Sequence, residues 1–199
     1  SAGATTLSKM CGSGMKAAMF GHDLLIAGSM DVVVAGGFES MTNAPYLLTK
    51  ARGGYRYGNA MMYDHMALDG LEDAYERGKS MGVFAEQCVS KYEFTREAQD
   101  DYALASLDRA LAAARDGTFA GEIAPVTVKT RKGETIVDTD EYIRDGATYE
   151  AMAGLRPAFS KDGTVTAGNA SGINDGAAAL ILLYFGLKLV AGSGQLLSC

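Results

Sequence analysis

Three features of this 199-residue chain predict an α/β fold: an apolar run, an amphipathic helix and a second apolar run at the start; two helices and a hairpin in the middle; and a last apolar run after a glycine-rich loop. Residues 4–9 read as a strand. Residues 14–28 read as a helix with Met15, Met19 and Leu24 to Ile26 on its buried side, and residues 31–37 as a buried strand, the run Val32 to Ala35 being β-branched or small. That order is a βαβ unit, in which a crossover helix joins parallel strands and reactive loops lie at strand ends. Residues 38–71 lose any long period. Asn43-Ala44-Pro45, Arg52-Gly53-Gly54-Tyr55 and Gly58-Asn59 make this an irregular excursion.

Helices follow at 81–92 and 95–116. Thr95 caps the second, Glu97 and Gln99 occupy its first turns, and Gly117 stops it. Ala98, Tyr102, Ala105 and Leu111 keep helical spacing and read as its core face, and Cys88 reads as a small core hydrophobe. Ile123 to Thr130 and Glu134 to Asp138 form a hairpin joined at Lys132-Gly133. Residues 164–176 then lead into a buried strand at 177–184. The resulting division is a first domain at 1–40, an α+β block at 41–160, a return to the first domain at 161–185 and a tail at 186–199.

A formal net charge of −6 argues against general binding to nucleic acid or to an anionic membrane, although Lys129-Thr130-Arg131-Lys132 is a local basic patch. Cysteines at 11, 88 and 199 are odd in number and lack C-x-x-C spacing, as in a reducing compartment. The first residues carry no basic segment followed by an apolar core, and the longest apolar stretch, Ala177 to Val190, is too short to span a bilayer. A cytoplasmic protein with no membrane partner is expected. The chain lacks an initiator Met and its tail stops short of a further domain, so it reads as a piece of a longer frame.

The chemistry concentrates at Ser8 to Met15, where Cys11 stands between a strand-like run and a helix. Free backbone N–H groups at a helix start stabilise an adjacent anion, and glycines at 12 and 14 leave room for a carbonyl to approach the sulfur. Two other readings stand beside the nucleophile. Cys11 can be an ordinary buried thiol in a turn, and Gly12, Gly14 and Ala17 match a dinucleotide fingerprint. The second is weakened because Asp31 precedes the strand it would have to end.

Of the two histidines, His22 lies eleven residues along the helix, roughly 16 Å from Cys11 at 1.5 Å per residue, too far to act as its base. His65 sits in the irregular segment, where it is a surface residue or a contributor to the site. No metal-ligand signature is present. The cluster of small and amide residues at 168–176 is either a tight connection or a surface on which an extended ligand lies, with Ser171 as a hydrogen-bond donor.

Seven motifs in order carry a resemblance: Met10 to Ala17, Gly36 to Met41 with Ala44-Pro45-Tyr46, Asp69 to Asp73, Met81-Gly82 with Ala85-Glu86, Asp140 to Arg144, Leu155 to Phe159, and Ala167 to Ala179. Together they resemble the thiolase family, most closely its bacterial acetyl-CoA acetyltransferase branch, from residue 4 to about 183. The resemblance implies a partial thiolase fold in which part of the N-terminal core carries a loop domain that binds coenzyme A. It implies that Cys11 takes up the acyl group as a thioester, that Arg144 lies near the nucleotide end of coenzyme A, and that Met81, Phe159, Ala167 and Ser171 line the pantetheine tunnel. It further implies acyl-CoA thioesters as substrates, no separate cofactor and a homo-oligomer, dimer or tetramer, at full length. Ser80 stands where some members have histidine. The family's G-H-P histidine, N-E-A-F asparagine and C-x-G-G cysteine belong to a C-terminal half that is not in this sequence. Cys199 is not followed by glycines and does not match the last of them. The chain is therefore expected to be incomplete and to have little or no turnover alone, its alternative role being a non-catalytic fragment that binds coenzyme A or pairs with other thiolase chains.

Overall fold

The structure, a computed structural model, describes residues 2–184, 189–190 and 196–197. Two compact units divide it, Ser1–Arg77 with Ile173–Cys199, and Gly78–Gly172. Residues 41–77 therefore pack with the first unit and 161–172 with the second, whereas the sequence reading takes 41–160 as one block. The tail at 186–199 lies almost wholly outside the described residues.

In the first unit, helix α1 (Ser13–Ile26) leads into strand β1 (Val32–Glu39). The helix ends where Gly28, at φ +68°, reverses the chain and donates its N–H to Leu25 O at 3.0 Å. Strand β1 pairs antiparallel with β6 (Gly176–Leu183), in a register from Val32 opposite Leu183 to Glu39 opposite Gly176. The expected strand at 4–9 is absent. Residues 2–8 form no ladder, and only a one-residue bridge joins Lys9 to Cys11. A strand is defined by its partner, and the β1–β6 pair is two-stranded. With that strand goes the parallel crossover.

Of the face expected to turn inward on helix α1, Leu25 is buried and its other members are not. Gly21 and Leu25 are its buried residues, while Met15, Met19, Leu24 and Ile26 are exposed. A Cβ on Gly21 would stand 2.7 Å from Leu182 Cδ1 and 3.1 Å from Val33 Cγ1. The helix lies so close to the sheet that only small residues fit between, which displaces the long side chains outward.

Strand β1 takes Phe38 and Glu39 from the expected excursion at 38–71, and the rest is irregular as expected: a two-residue pairing of β2 (Tyr46–Leu47) with β3 (Tyr63–Asp64), a 3-10 turn at Ala51–Gly53 and a π-helical turn at Met66–Leu71. Asp175 ties this segment to the start of β6. Its carboxylate accepts the Thr42 N–H at 2.9 Å and the Ser40 hydroxyl at 3.3 Å. The Thr42 N–H, outweighing the opposing effect of burial, holds the Asp175 carboxyl below the ordinary carboxylate range. Because the folded value is the lower one, the stability this clasp adds is complete above the unfolded Asp value of about 3.9 and disappears as pH falls through the folded value. The Thr42 amide resonance is expected to titrate below that pH and to stop titrating in Asp175→Ala; a flat Thr42 shift in the parent chain would contradict this.

The second unit holds α2 (Met81–Tyr92), α3 (Arg96–Arg115), a hairpin of β4 (Val126–Thr130) and β5 (Gly133–Val137), and the short α4 (Tyr149–Ala153). Glu93, at φ +56°, ends α2 in the left-handed region. Thr95 Oγ1 then accepts the Ala98 N–H at 3.1 Å, and Gly117 at φ +83° follows the end of α3, so the expected cap and stop both form. The hairpin turns on Arg131-Lys132, one residue earlier than expected, with Gly133 at φ +126°.

Two expectations are corrected in this unit. Ala98, Tyr102 and Ala105 are exposed; the inward face of α3 instead runs through Arg96, Gln99, Asp100, Ala103, Leu104, Leu107 and Leu111. Cys88 is exposed as well, because α2 turns Val83 to Glu86 and Val89 inward. Helix α4 has no counterpart in the sequence reading, although Thr148 Oγ1 caps it by accepting the Ala151 N–H at 3.2 Å. Among the described residues no helix is long and apolar enough to cross a membrane.

Candidate active site and ligand-facing loops

Cys11 is exposed in the first unit, at a turn that its neighbours hold tightly. Met10 adopts φ +49°, a left-handed conformation uncommon for a non-glycine residue. Gly12 N–H donates to Lys9 O at 3.0 Å and Ser13 N–H to Met10 O at 3.1 Å. The Ser13 hydroxyl accepts the Lys9 N–H at 2.8 Å and donates to Met10 O at 2.7 Å, so it closes residues 9–13 into a turn that carries Cys11.

The two glycines do different work. Gly12 is the N-cap of α1, and a Cβ there would stand 3.3 Å from Lys9 O, so it serves the tight turn. A Cβ at Gly14 would meet nothing within 4 Å, so the space beside the first turn is open. Gly12 brings no side-chain oxygen to the helix start. Met10 O already takes the Ser13 N–H, whereas the next first-turn N–H groups, of Gly14 and Met15, have no intrahelical acceptor and can turn to an anion.

Neither histidine hydrogen-bonds to Cys11 among the described residues. His22 Nδ1 lies 3.3 Å from Asp23 Oδ1 on the exposed side of α1. His65 Nε2 lies 3.5 Å from Asp69 Oδ2, and its N–H donates to Pro45 O at 3.1 Å.

The other five predicted site residues, Met81, Arg144, Phe159, Ala167 and Ser171, belong to the second unit. Met81 opens α2, and Phe159 packs its ring onto the backbone of the next residue; a Cβ on Gly82 would overlap that ring. Met81 and Phe159 are thus neighbours, both partly exposed. Arg144 stacks over Tyr142, with its guanidinium carbon 5.8 Å from the ring centroid, and the Tyr142 hydroxyl abuts the backbone of Gly172. Tyr142 therefore joins Arg144 to the loop that carries Ser171. Ala167 and Ser171 are both exposed on that loop. Tyr142 and Gly82, which touch the predicted positions Arg144 and Phe159, are not singled out by the sequence, although each sits inside one of the seven motifs.

Gly82→Ala is expected to displace the Phe159 ring and to destabilise the second unit by about 1–3 kcal/mol. Urea unfolding and the Phe159 ring resonances measure this; shifted resonances at unchanged stability would show that the ring yields freely, and unmoved resonances would show that it does not pack on Gly82.

The thiolase family, under the description "Thiolase, N-terminal domain", matches residues 1–184. An acetyl-CoA acetyltransferase of Rhizobium meliloti (strain 1021) is 52% identical over 177 residues, which are 89% of this chain and 44% of that protein. One of Cupriavidus necator is 49% identical over 181 residues, 90% of this chain and 46% of that protein. Among solved structures, an acetyl-CoA acetyltransferase from Syntrophomonas wolfei superposes with a TM-score of 0.84 at 44% identity, covering 90% of this chain and 45% of that one. A Bacillus anthracis acetyl-CoA acetyltransferase gives 0.80 at 42% identity, with 89% and 45% covered. The chain spans a little under half the length of the curated relatives it matches.

Proposed function

This chain belongs to the thiolase family, and on that premise we propose that it supplies the acyl-accepting cysteine and the coenzyme A grip of an acetyl-CoA C-acetyltransferase. The reaction is condensation of two acetyl-CoA to acetoacetyl-CoA and coenzyme A, or the reverse thiolysis. The observation that carries the reading is the exposed Cys11, held on a turn closed by Ser13 directly before a helix N-terminus with open space beside Gly14.

The Cys11 thiolate attacks the thioester carbonyl, and first-turn N–H groups of α1 stabilise the oxyanion. Collapse of that intermediate expels the coenzyme A thiolate and leaves an acetyl-cysteine. The family's C-x-G-G cysteine, of the C-terminal half, would take the α-proton of a second acetyl-CoA, whose carbanion attacks the acetyl carbonyl and expels the Cys11 thiolate, giving acetoacetyl-CoA. Arg144 takes a phosphate of coenzyme A, while Met81, Phe159, Ala167 and Ser171 flank the pantetheine arm. The thioester is substrate, and no separate cofactor enters. A cytoplasmic location and homo-oligomeric assembly, dimer or tetramer, belong to the same reading.

A second reading is favoured by the histidine geometry, since both side chains pair with carboxylates and neither reaches Cys11. In that reading the chain binds coenzyme A or other thiolase chains without acylation. Intact-mass spectrometry after incubation with acetyl-CoA separates the two. One acetyl adduct that vanishes in Cys11→Ala is expected. Binding of coenzyme A without an adduct supports the second reading, and an adduct that persists in Cys11→Ala overturns the assignment of Cys11.

A further inference from the structure

Residues 164–169 connect the predicted ligand positions Phe159 and Ser171, and side chains of two helices hold them from inside. Glu86, on α2, presents its carboxylate to the chain. Oε1 accepts the Thr164 N–H at 3.0 Å and the Val165 N–H at 2.9 Å, while Oε2 accepts the Thr164 hydroxyl at 3.3 Å. From α3, Gln99 Nε2 donates to Thr164 Oγ1 at 2.9 Å. Asn169 closes the loop on itself: its Oδ1 accepts the Thr166 N–H at 2.7 Å, and its Nδ2 donates to Thr164 O at 3.1 Å and to Asp100 Oδ1 at 2.9 Å.

The consequence is a division of sides. Val165 and Thr166 are 7% and 0% exposed, whereas Ala167 next to them is exposed, with Ser171 beyond. A short loop whose polar backbone is satisfied from within keeps one outward shape, and that shape sets where a ligand lies against Ala167 and Ser171.

We infer that Glu86 is a positioning residue for coenzyme A: it touches no ligand itself and, together with Asn169, fixes residues 164–169 in the shape that receives the pantetheine arm. This rests on the proposed binding of coenzyme A by the second unit.

The test uses the full 199-residue chain, with coenzyme A as the probe. Glu86→Leu keeps the side-chain bulk but removes both acceptors from the Thr164 and Val165 amides. Glu86→Gln retains one acceptor oxygen. At a temperature where each protein is fully folded by circular dichroism, Glu86→Leu is expected to speed hydrogen exchange at Thr164 and Val165 and to weaken coenzyme A binding about tenfold, a loss of the size expected when buried donors are left unpaired. Glu86→Gln is expected to recover most of both. Should Glu86→Leu fail to fold, Thr164→Val, which deletes only the hydroxyl shared by Glu86 and Gln99, is expected to show the same two changes more weakly.

Unchanged exchange in the variants, or faster exchange with unchanged affinity, overturns the inference while leaving coenzyme A binding intact. Failure of the parent chain to bind coenzyme A overturns the binding assignment and the inference with it.

Discussion

Asp100→Ala is expected to destabilise the second unit by about 3–5 kcal/mol, the cost of leaving a buried charge without its partner. The Asp100 side chain is 1% exposed, and its Oδ2 accepts Arg96 Nε at 2.7 Å. Arg96 is itself only 20% exposed and gives one further N–H each from Nη1 and Nη2 to the carbonyls of Leu155 and Met152, at the end of α4. Removal of the carboxylate leaves a largely buried guanidinium without its counter-charge. It also leaves Asn169 Nδ2 without one of its two acceptors. Urea unfolding followed by far-UV circular dichroism reads the loss as a lower midpoint at unchanged slope. Arg115 and Asp145 make the contrast. Each is about two-thirds exposed, so Asp145→Ala is expected to change stability little even though Arg115 holds the Asp145 carboxyl below its ordinary range. Replacing Arg96 and Asp100 together with apolar residues should recover much of the single-variant loss. A loss below about 1 kcal/mol in Asp100→Ala would mean that the pair is effectively solvated.

The same residues show what the sequence could reveal. Helix α3 was legible because its ends are written locally, with Thr95 as cap and Gly117 just past the end as stop. The inward face of α3 was not. Ala98, Tyr102 and Ala105 satisfy a helical period, yet the face that turns inward is the one with Arg96, Gln99 and Asp100, because these residues bond to α4 and the 164–169 loop. Periodicity weighs apolarity, whereas here the burial follows hydrogen-bond partners as far as 69 positions away in sequence. Residues 4–9 failed for the opposite reason, since a strand needs a neighbour that local pattern cannot supply.

The candidate site divides in the same way. The position of Cys11 before a helix was readable from Gly12, Gly14 and the run that follows. The closure of that turn by Ser13 was not, because nothing in a serine at that position specifies two hydrogen bonds to Lys9 and Met10. Arg144 was named only through family resemblance, whereas Ser171 was also singled out as a donor in the loop of small and amide residues. Their link through Tyr142 and Gly172 is a tertiary fact without a local signature.

The outer face of the β1–β6 pair carries the other large effect. The side of this sheet away from α1 presents Val32, Val34 and Phe38 from one strand and Ile181 and Leu183 from the other. Their exposures run from 50% at Leu183 to 88% at Phe38. This follows from period two: Val33 and Leu182 point at Gly21 of α1, so their neighbours point away. Covering a fully exposed Val, Leu, Ile or Phe is worth about 1.5–3 kcal/mol, so five half-exposed or more exposed residues on one face supply enough driving force for association. The 199-residue chain is therefore expected to self-associate at micromolar concentration and to bind a hydrophobic dye. Val34 and Ile181 lie directly opposite each other and are each 69% exposed. The pair V34K and I181E would set opposite charges across the ladder, which keeps the strands paired while making the face polar. Sedimentation velocity should then show a shift to monomer with helix content retained. A parent chain that sediments as a monomer and leaves the dye dark would show that this face is covered in solution, and would place Phe38 and Ile181 in a core that these exposures do not describe.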